Sequence, residues 1–169
     1  MIKKLSSAKT QRIHSPVELG RYLRDRRHEQ ATTISDVSSI ASIGERFISE
    51  IERGKYTAFF DKTLQYLNLL GLSLHIYPKN ALGIQSPYGA FTDIKAIGAI
   101  ARLHRKNQKA TLETVKELSG LSLRFLSDFE RGNNSQIGKA LDALKTYGLE
   151  VAIAPKNYRL AKADLLNAC

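Results

Sequence analysis

The groups in this sequence that could do chemistry are few and poorly placed for catalysis. Four histidines, His14, His28, His75 and His104, are scattered, with no His-x-x-x-His pair and no cysteine partners, so no metal site is legible. The single cysteine, Cys169, is the last residue, which argues against a disulfide scaffold and against thiolate clusters. The acidic pairs Glu50/Glu52 and Asp128/Glu130 stand two apart in predicted helices and point to different faces, so neither is an acid–base dyad. Gly54 and Gly132 read as helix stops, not as phosphate-cradling loops. No catalytic residue, metal or cofactor is expected. What remains is positive charge: 26 Lys and Arg against 16 Asp and Glu, a net +10 and a pI of about 9.8. Residues 1–80 carry 13 basic and 8 acidic side chains, and residues 81–169 carry the same, so no single tail supplies the excess. Charge of this size favours a polyanionic partner through phosphate neutralisation and counterion release.

The elements that must position these charges occur twice. ISEIERG (Ile48–Gly54) returns as LSDFERG (Leu126–Gly132), and GLSLHIYPKN returns as GLEVAIAPKN. From Leu19 and Ile97 through the Glu-Arg-Gly triplets the offset is 78 residues; at Gly71 and Gly148 it is 77, so one residue is lost in the turn between. Such self-similarity predicts two small similar domains. Leu19, Tyr22 and Leu23, like Ile97, Ile100 and Ala101, mark the buried stripe of a first helix. Short second helices follow at Thr33–Ile40 and Thr111–Leu118, each with a threonine placed to cap it. Third helices are predicted at Glu45–Arg53 and Leu123–Arg131. Fourth helices carry Phe60, Leu64 and Leu67, and Ile137, Leu141 and Leu144. The period then changes to two over Leu72–Pro78 and Leu149–Pro155, predicting one half-buried strand per copy. A lone strand needs a partner, and the other copy's strand is the nearest candidate.

The predicted fold class is therefore mostly α: two four-helix units, each ending in a short β-strand, the strands paired. The expected boundaries are a basic arm at 1–15, domains at 16–80 and 93–157, a linker at 81–92 and a tail at 158–169. The arm, with Lys3, Lys4, Lys9 and Arg12, reads as a mobile terminus able to follow a groove. A dozen linker residues can reach up to ~40 Å, enough for the second unit to swing round and pair its strand. His75, on the strand's second face, reads as a surface or pairing residue. No apolar run approaches the ~18–20 residues needed to span a bilayer, the basic stretch MIKKLSSAKTQRIHS lacks the apolar core of a secretory signal, and a cytoplasmic protein without membrane partner is expected.

Two short helices around a tight turn, the second followed by Glu-Arg-Gly, resemble the helix-turn-helix of the lambda-repressor-like, or Xre, family. FISEIERGK (Phe47–Lys55) is close to that family's pattern, and RFLSDFERGN (Arg124–Asn133) is a more divergent match. The terminal strands resemble those of HipB-type antitoxins, in which two subunits pair C-terminal strands; the likeness covers residues 16 to 80 and 94 to 157. The resemblance implies structural ion pairs between Arg27 and Glu52 and between Arg105 and Glu130. It implies that the third helix enters the major groove of double-stranded DNA, through Gly44, Glu45, Arg46, Ser49 and Glu50 in one copy. The corresponding residues are Ser122, Leu123, Arg124, Ser127 and Asp128. Arg46 and Arg124 are the expected base readers, with Leu123 on a thymine methyl or simply exposed. Thr33, Thr111, Arg53, Lys55, Arg131, Asn133 and Asn134 stand where the DNA backbone is clasped. Ile34 and Leu112 depart from the family, which often has glutamine there against phosphate.

Proteins of HipB type are single copies that dimerise, repress their own operon at an inverted repeat and hold a HipA-like serine/threonine kinase toxin. This chain looks like such a dimer fused end to end, so a pseudo-dimeric monomer or a homodimer on an imperfect inverted repeat is expected. A freestanding or phage-type repressor, and a protein-interaction scaffold that has lost base readout, are the alternatives.

Overall fold

The structure, a computed structural model, describes residues 10–79, 90–91 and 93–156. The sequence-based assignments to residues 1–9, most of the linker and the tail at 158–169 lie outside the described residues. Within them the chain runs β1 (Gln11–Ile13), α1 (Pro16–Glu29), α2 (Ile34–Ala41), α3 (Glu45–Glu52), α4 (Phe60–Leu69) and β2 (Leu72–Pro78). It continues through β3 (Ala90–Phe91), α5 (Ile94–Asn107), α6 (Leu112–Ser119), α7 (Leu123–Glu130), α8 (Ile137–Thr146) and β4 (Leu149–Pro155).

Five of the eight helices among the described residues start at a side chain that accepts from an orphan amide. Ser15 Oγ accepts from the Glu18 amide ahead of α1, and Asp93 Oδ1 accepts from the Ala96 amide ahead of α5. Thr33 and Asp36 form a reciprocal capping box on α2. On α6, Thr111 Oγ1 accepts from the Thr114 amide at 3.1 Å. Gly20 and Gly98 let α1 and α5 lie against the ends of α3 and α7. A Cβ there would stand 2.3 Å from the Ile51 carbonyl oxygen and 2.2 Å from that of Phe129. The pattern of buried stripes predicted from spacing holds, with Leu19, Leu23, Ile97 and Ala101 nearly or fully buried. One contiguous cluster of buried side chains extends through both halves, from Ile13 and Leu19 to Val151 and Ile153.

The sheet has four strands in the order β1-β4-β2-β3, all neighbours antiparallel. β2 and β4 pair along their whole length, and the register is symmetric: His75 faces Ala152, its own repeat counterpart, while Leu72 faces Pro155 and Pro78 faces Leu149. The symmetry extends past the strand ends. The Lys79 amide donates to the Gly148 carbonyl and the Lys156 amide to the Gly71 carbonyl, both at 2.9 Å.

Three expectations are corrected here. Residues 11–13 of the expected mobile arm form a strand: β1 pairs with β4, Ile13 is buried, and Arg12 lies 3.5 Å from Glu150 and over the Tyr77 ring. The linker is partly strand, because β3 pairs with β2. Each half thus lends the segment before its first helix to the strand ending the other half, a reciprocal exchange. The strands are not half-buried: Ser73, His75 and Tyr77 on the second face of β2 are as covered as Leu72, Leu74 and Ile76. His75 is accordingly no surface residue. It is 6% exposed, its Nε2 lies 2.8 Å from Ser73 Oγ, and burial pushes its pKa down.

A second seam joins the loops that follow α3 and α7. The Phe60 amide donates to the Ser135 carbonyl and the Ile137 amide to the Ala58 carbonyl, each at 2.8 Å, about the isolated bridge Phe59–Gln136. Beside it the Tyr56 ring lies over Gly138, where a Cβ would meet it at 2.2 Å, and its hydroxyl donates to Asp142. Asn134 sits on the opposite side of this seam, its Oδ1 accepting from the amides of Asp61 and Ser135.

Candidate nucleic-acid interface

The third helices are held from behind by buried ion pairs. Arg27 reaches from α1 to Glu52 at the end of α3 with Nε at 2.7 Å and Nη2 at 2.8 Å, while its Nη1 donates to the Thr32 carbonyl at 2.9 Å. Arg105 holds Glu130 in the same way, at 2.6 and 2.7 Å, and donates to the Ala110 carbonyl at 2.8 Å. This two-pronged geometry fixes both the distance and the rotation of helix against helix. A phenol completes each site: Tyr66 and Tyr147 donate to the same carboxylate oxygen that receives the arginine Nε. Burial pushes the Glu52 and Glu130 carboxyls up, but the arginine and tyrosine hydrogen bonds outweigh it and leave both below the ordinary value of 4.5.

The phenols were not foreseen, and the repeat hides them. Tyr66 lies in the middle of α4, whereas Tyr147 follows the end of α8; their repeat counterparts are Ala143 and Leu70. Residues 66 and 70 share a helix face, as do 143 and 147, so the large ring and the smaller side chain have changed places one turn apart. The hydroxyl nonetheless arrives at the same carboxylate.

In front of these braces the second residue of each third helix stands clear: the Arg46 side chain is 90% exposed and that of Arg124 is 94% exposed. Glu45 is also exposed, and Ser49, Ser127 and Leu123 are half-buried. Leu123 is thus no freely exposed apolar side chain. The carboxylates that stood awkwardly on this face are held within it. Glu50 accepts from Arg46 Nε at 3.1 Å and from Lys55 Nζ at 2.7 Å, which keep its carboxyl below the ordinary range, Lys55 first. Asp128 accepts from Arg131 Nη2 at 2.9 Å and from Asn133 Nδ2 at 3.2 Å, with Arg124 Nε farther off at 4.0 Å. Arg53 and Arg131 each direct Nε to the carbonyl of the residue four before, Ser49 or Ser127.

A 65-residue stretch, 38% of this chain, is 40% identical to an uncharacterized HTH-type transcriptional regulator, y4mF, of Sinorhizobium fredii (strain NBRC 101917 / NGR234) and covers 86% of it. The chain belongs to the HTH-type transcriptional regulators. No protein-family profile matches it, and no solved structure does.

In this HTH-type regulator the remaining expected contact positions divide into those free and those engaged. Gly44 starts α3 without a side-chain cap, whereas Ser122 spends its hydroxyl capping α7 on the Phe125 amide. Thr33 is engaged on both groups: its amide and hydroxyl donate to Asp36 at 2.9 and 2.7 Å. Thr111 has a hydroxyl, Thr114, in place of that carboxylate. Asn134 faces the seam, and Asn133 is tied to Asp128. Among the described residues no group of His, Cys, Asp or Glu could hold a metal ion, and no helix is long and apolar enough to cross a membrane.

Proposed function

We propose that this protein is a sequence-specific DNA-binding repressor in which α3 and α7 are the two reading helices of one pseudo-dimeric chain. The observation that carries the reading is the repeated head: an exposed arginine at the second position of a helix braced by the same buried Arg–Glu pair, in both halves. The net charge of +10 supports a phosphate partner. The relative's designation as an HTH-type transcriptional regulator supports transcriptional control, and its size supports the tandem reading, since a 65-residue match spans 86% of it, about one repeat. The symmetric β2–β4 register supports heads held in two-fold relation, as an inverted-repeat operator requires. The repeat is imperfect because GERFISEIE and SLRFLSDFE differ.

Within that function, the paired terminal strands support a HipB-type antitoxin that represses its own operon and holds a HipA-like kinase. Co-purification with such a kinase encoded beside it is the expected result; a freestanding repressor would capture none.

A gel shift on the DNA upstream of its own gene tests the base reading. Arg46→Ala and Arg124→Ala should each weaken cognate binding by about tenfold or more, since a guanidinium on guanine contributes ~1–3 kcal/mol of discrimination. The same variants should weaken binding to random duplex only a few-fold, as the loss of one exposed positive charge requires. A double variant that binds both DNAs as the wild type does would sink base reading by these arginines and leave the scaffold alternative. Sedimentation should show a monomer that retains DNA affinity.

A further inference from the structure

We propose that the carboxylate one turn beyond each exposed arginine, Glu50 in α3 and Asp128 in α7, sets how strictly that half of the operator is read, so that one half-site is read strictly and the other tolerantly. The inference rests on the DNA-binding function proposed above.

In the first head, Arg46 and Glu50 are four residues apart on one face, and the 3.1 Å bond uses the arginine Nε. The two terminal nitrogens are left outward as a fork, the part of the group that matches guanine O6 and N7. Lys55 grips the other carboxylate oxygen at 2.7 Å, so Glu50 is anchored from both sides and cannot follow the arginine's swings. In the second head the acid is one methylene shorter, and its near partners are Arg131 at 2.9 Å and Asn133 at 3.2 Å. Arg124 Nε stands 4.0 Å away, with its side chain 94% exposed. It therefore gives up more rotamer freedom on meeting a base, and it can meet several bases in several poses. The clamps differ in reach and not in charge: Arg46, Glu50 and Lys55 sum to a net positive group, and so do Arg124, Asp128, Arg131 and Asn133.

Glu50 is thus a positioning residue acting through Arg46, and its two effects on DNA have opposite signs. Its charge repels phosphates of any sequence, while its bond narrows what Arg46 can recognise. A residue that merely held the fold would show neither separation.

Selection of duplexes from a randomised library by the purified full-length chain tests this. The wild type should enrich an inverted repeat with one sharply defined half-site and one degenerate half-site. Glu50→Gln should blur the sharp half while binding to random duplex tightens a few-fold, because a charge facing phosphate is gone. Asp128→Glu combined with Asn133→Lys should import the clamp and sharpen the tolerant half. Unchanged thermal unfolding for Glu50→Gln separates positioning from folding. Two equally strict half-sites, or unaltered base preference in Glu50→Gln, would overturn this inference alone. Enrichment of no sequence at all would overturn the DNA reading and this inference with it.

Discussion

The two halves of this chain solve the same mechanical problem with different residues. Behind each third helix sits a buried arginine–glutamate pair with near-identical distances, yet the phenol that completes it comes from the middle of α4 in one half and from beyond the end of α8 in the other. In front, the exposed arginines coincide while several of their neighbours have diverged: Lys55 against Asn133, Glu50 against Asp128, Asp36 against Thr114. The buried side tolerates a change of position only if the same atom lands on the same carboxylate, because an unpaired buried charge is costly. The exposed side carries no such demand and is free to diverge.

The comparison breaks first if the two braces are unequal. Glu52→Ala and Glu130→Ala each leave a guanidinium buried without its partner, and each should cost about 3–5 kcal/mol in urea denaturation. Because buried side chains are contiguous through both halves, each variant should still unfold in a single transition. Two separated transitions would show halves that fold independently. The same pairs set the acid limit. Both glutamates sit below their ordinary value of 4.5, so the stability they contribute is complete above that pH and is lost as pH falls through the lowered native value. Glu52→Gln should flatten that part of the acid profile, read from the midpoint of thermal unfolding between pH 3 and pH 5 (a window of about one unit either side of the carboxylate range).

Next in size is the seam, where the halves are least alike. Gly138 lies under the Tyr56 ring, whereas its repeat counterpart, Asp61, offers its amide to Asn134. Gly138→Ala should force the ring away and cost ~1–3 kcal/mol as overpacking does. Asp61→Ala keeps the amide and should cost far less. Burial, and then the bond to Asp142, push the Tyr56 hydroxyl up to about 12, so the wild-type phenol should resist ionisation in a spectroscopic titration. In Gly138→Ala its ionisation should return toward the ordinary range.

Much of this architecture was legible from the residues. The spacing of Phe60, Leu64 and Leu67, and the alternation from Leu72, placed α4 and β2 to within a residue or two, because one buried face imposes its period on the sequence. β1 and β3 escaped notice because three and two residues are too few to show a period, and their partners lie more than a hundred and about fifteen residues away. Coverage of the second sheet face escaped for a related reason: Ser73 and His75 read as polar, and their mutual hydrogen bond satisfies them internally. At the site, residue types gave the arginines, but the grip of Lys55 on Glu50 and of Arg131 on Asp128 depends on rotamers that no repeat pattern encodes.

The smallest expected effect separates the two heads at their second helices. The start of such a helix presents unpaired amides and a positive dipole end to a phosphate. At α2 that end is occupied: Asp36 takes both the amide and the hydroxyl of Thr33, and these bonds hold its carboxyl below the ordinary range. At α6, Thr114 brings a hydroxyl and no charge, and the first-turn acid there, Glu113, is exposed and takes neither the amide nor the hydroxyl of Thr111. The first head should therefore clasp the backbone more weakly at this point than the second, whatever bases it reads. Asp36→Thr should tighten binding to random duplex by roughly two- to fivefold at low salt and steepen its salt dependence. Thr114→Asp should do the reverse by a similar factor. Neither change should alter which bases are preferred, since backbone contacts carry no sequence information. If Asp36→Thr instead loosens all binding, the capping box is doing more for α2 than its charge takes from the phosphate contact, and the first head would then be the one whose second helix needs its own carboxylate to stand at all.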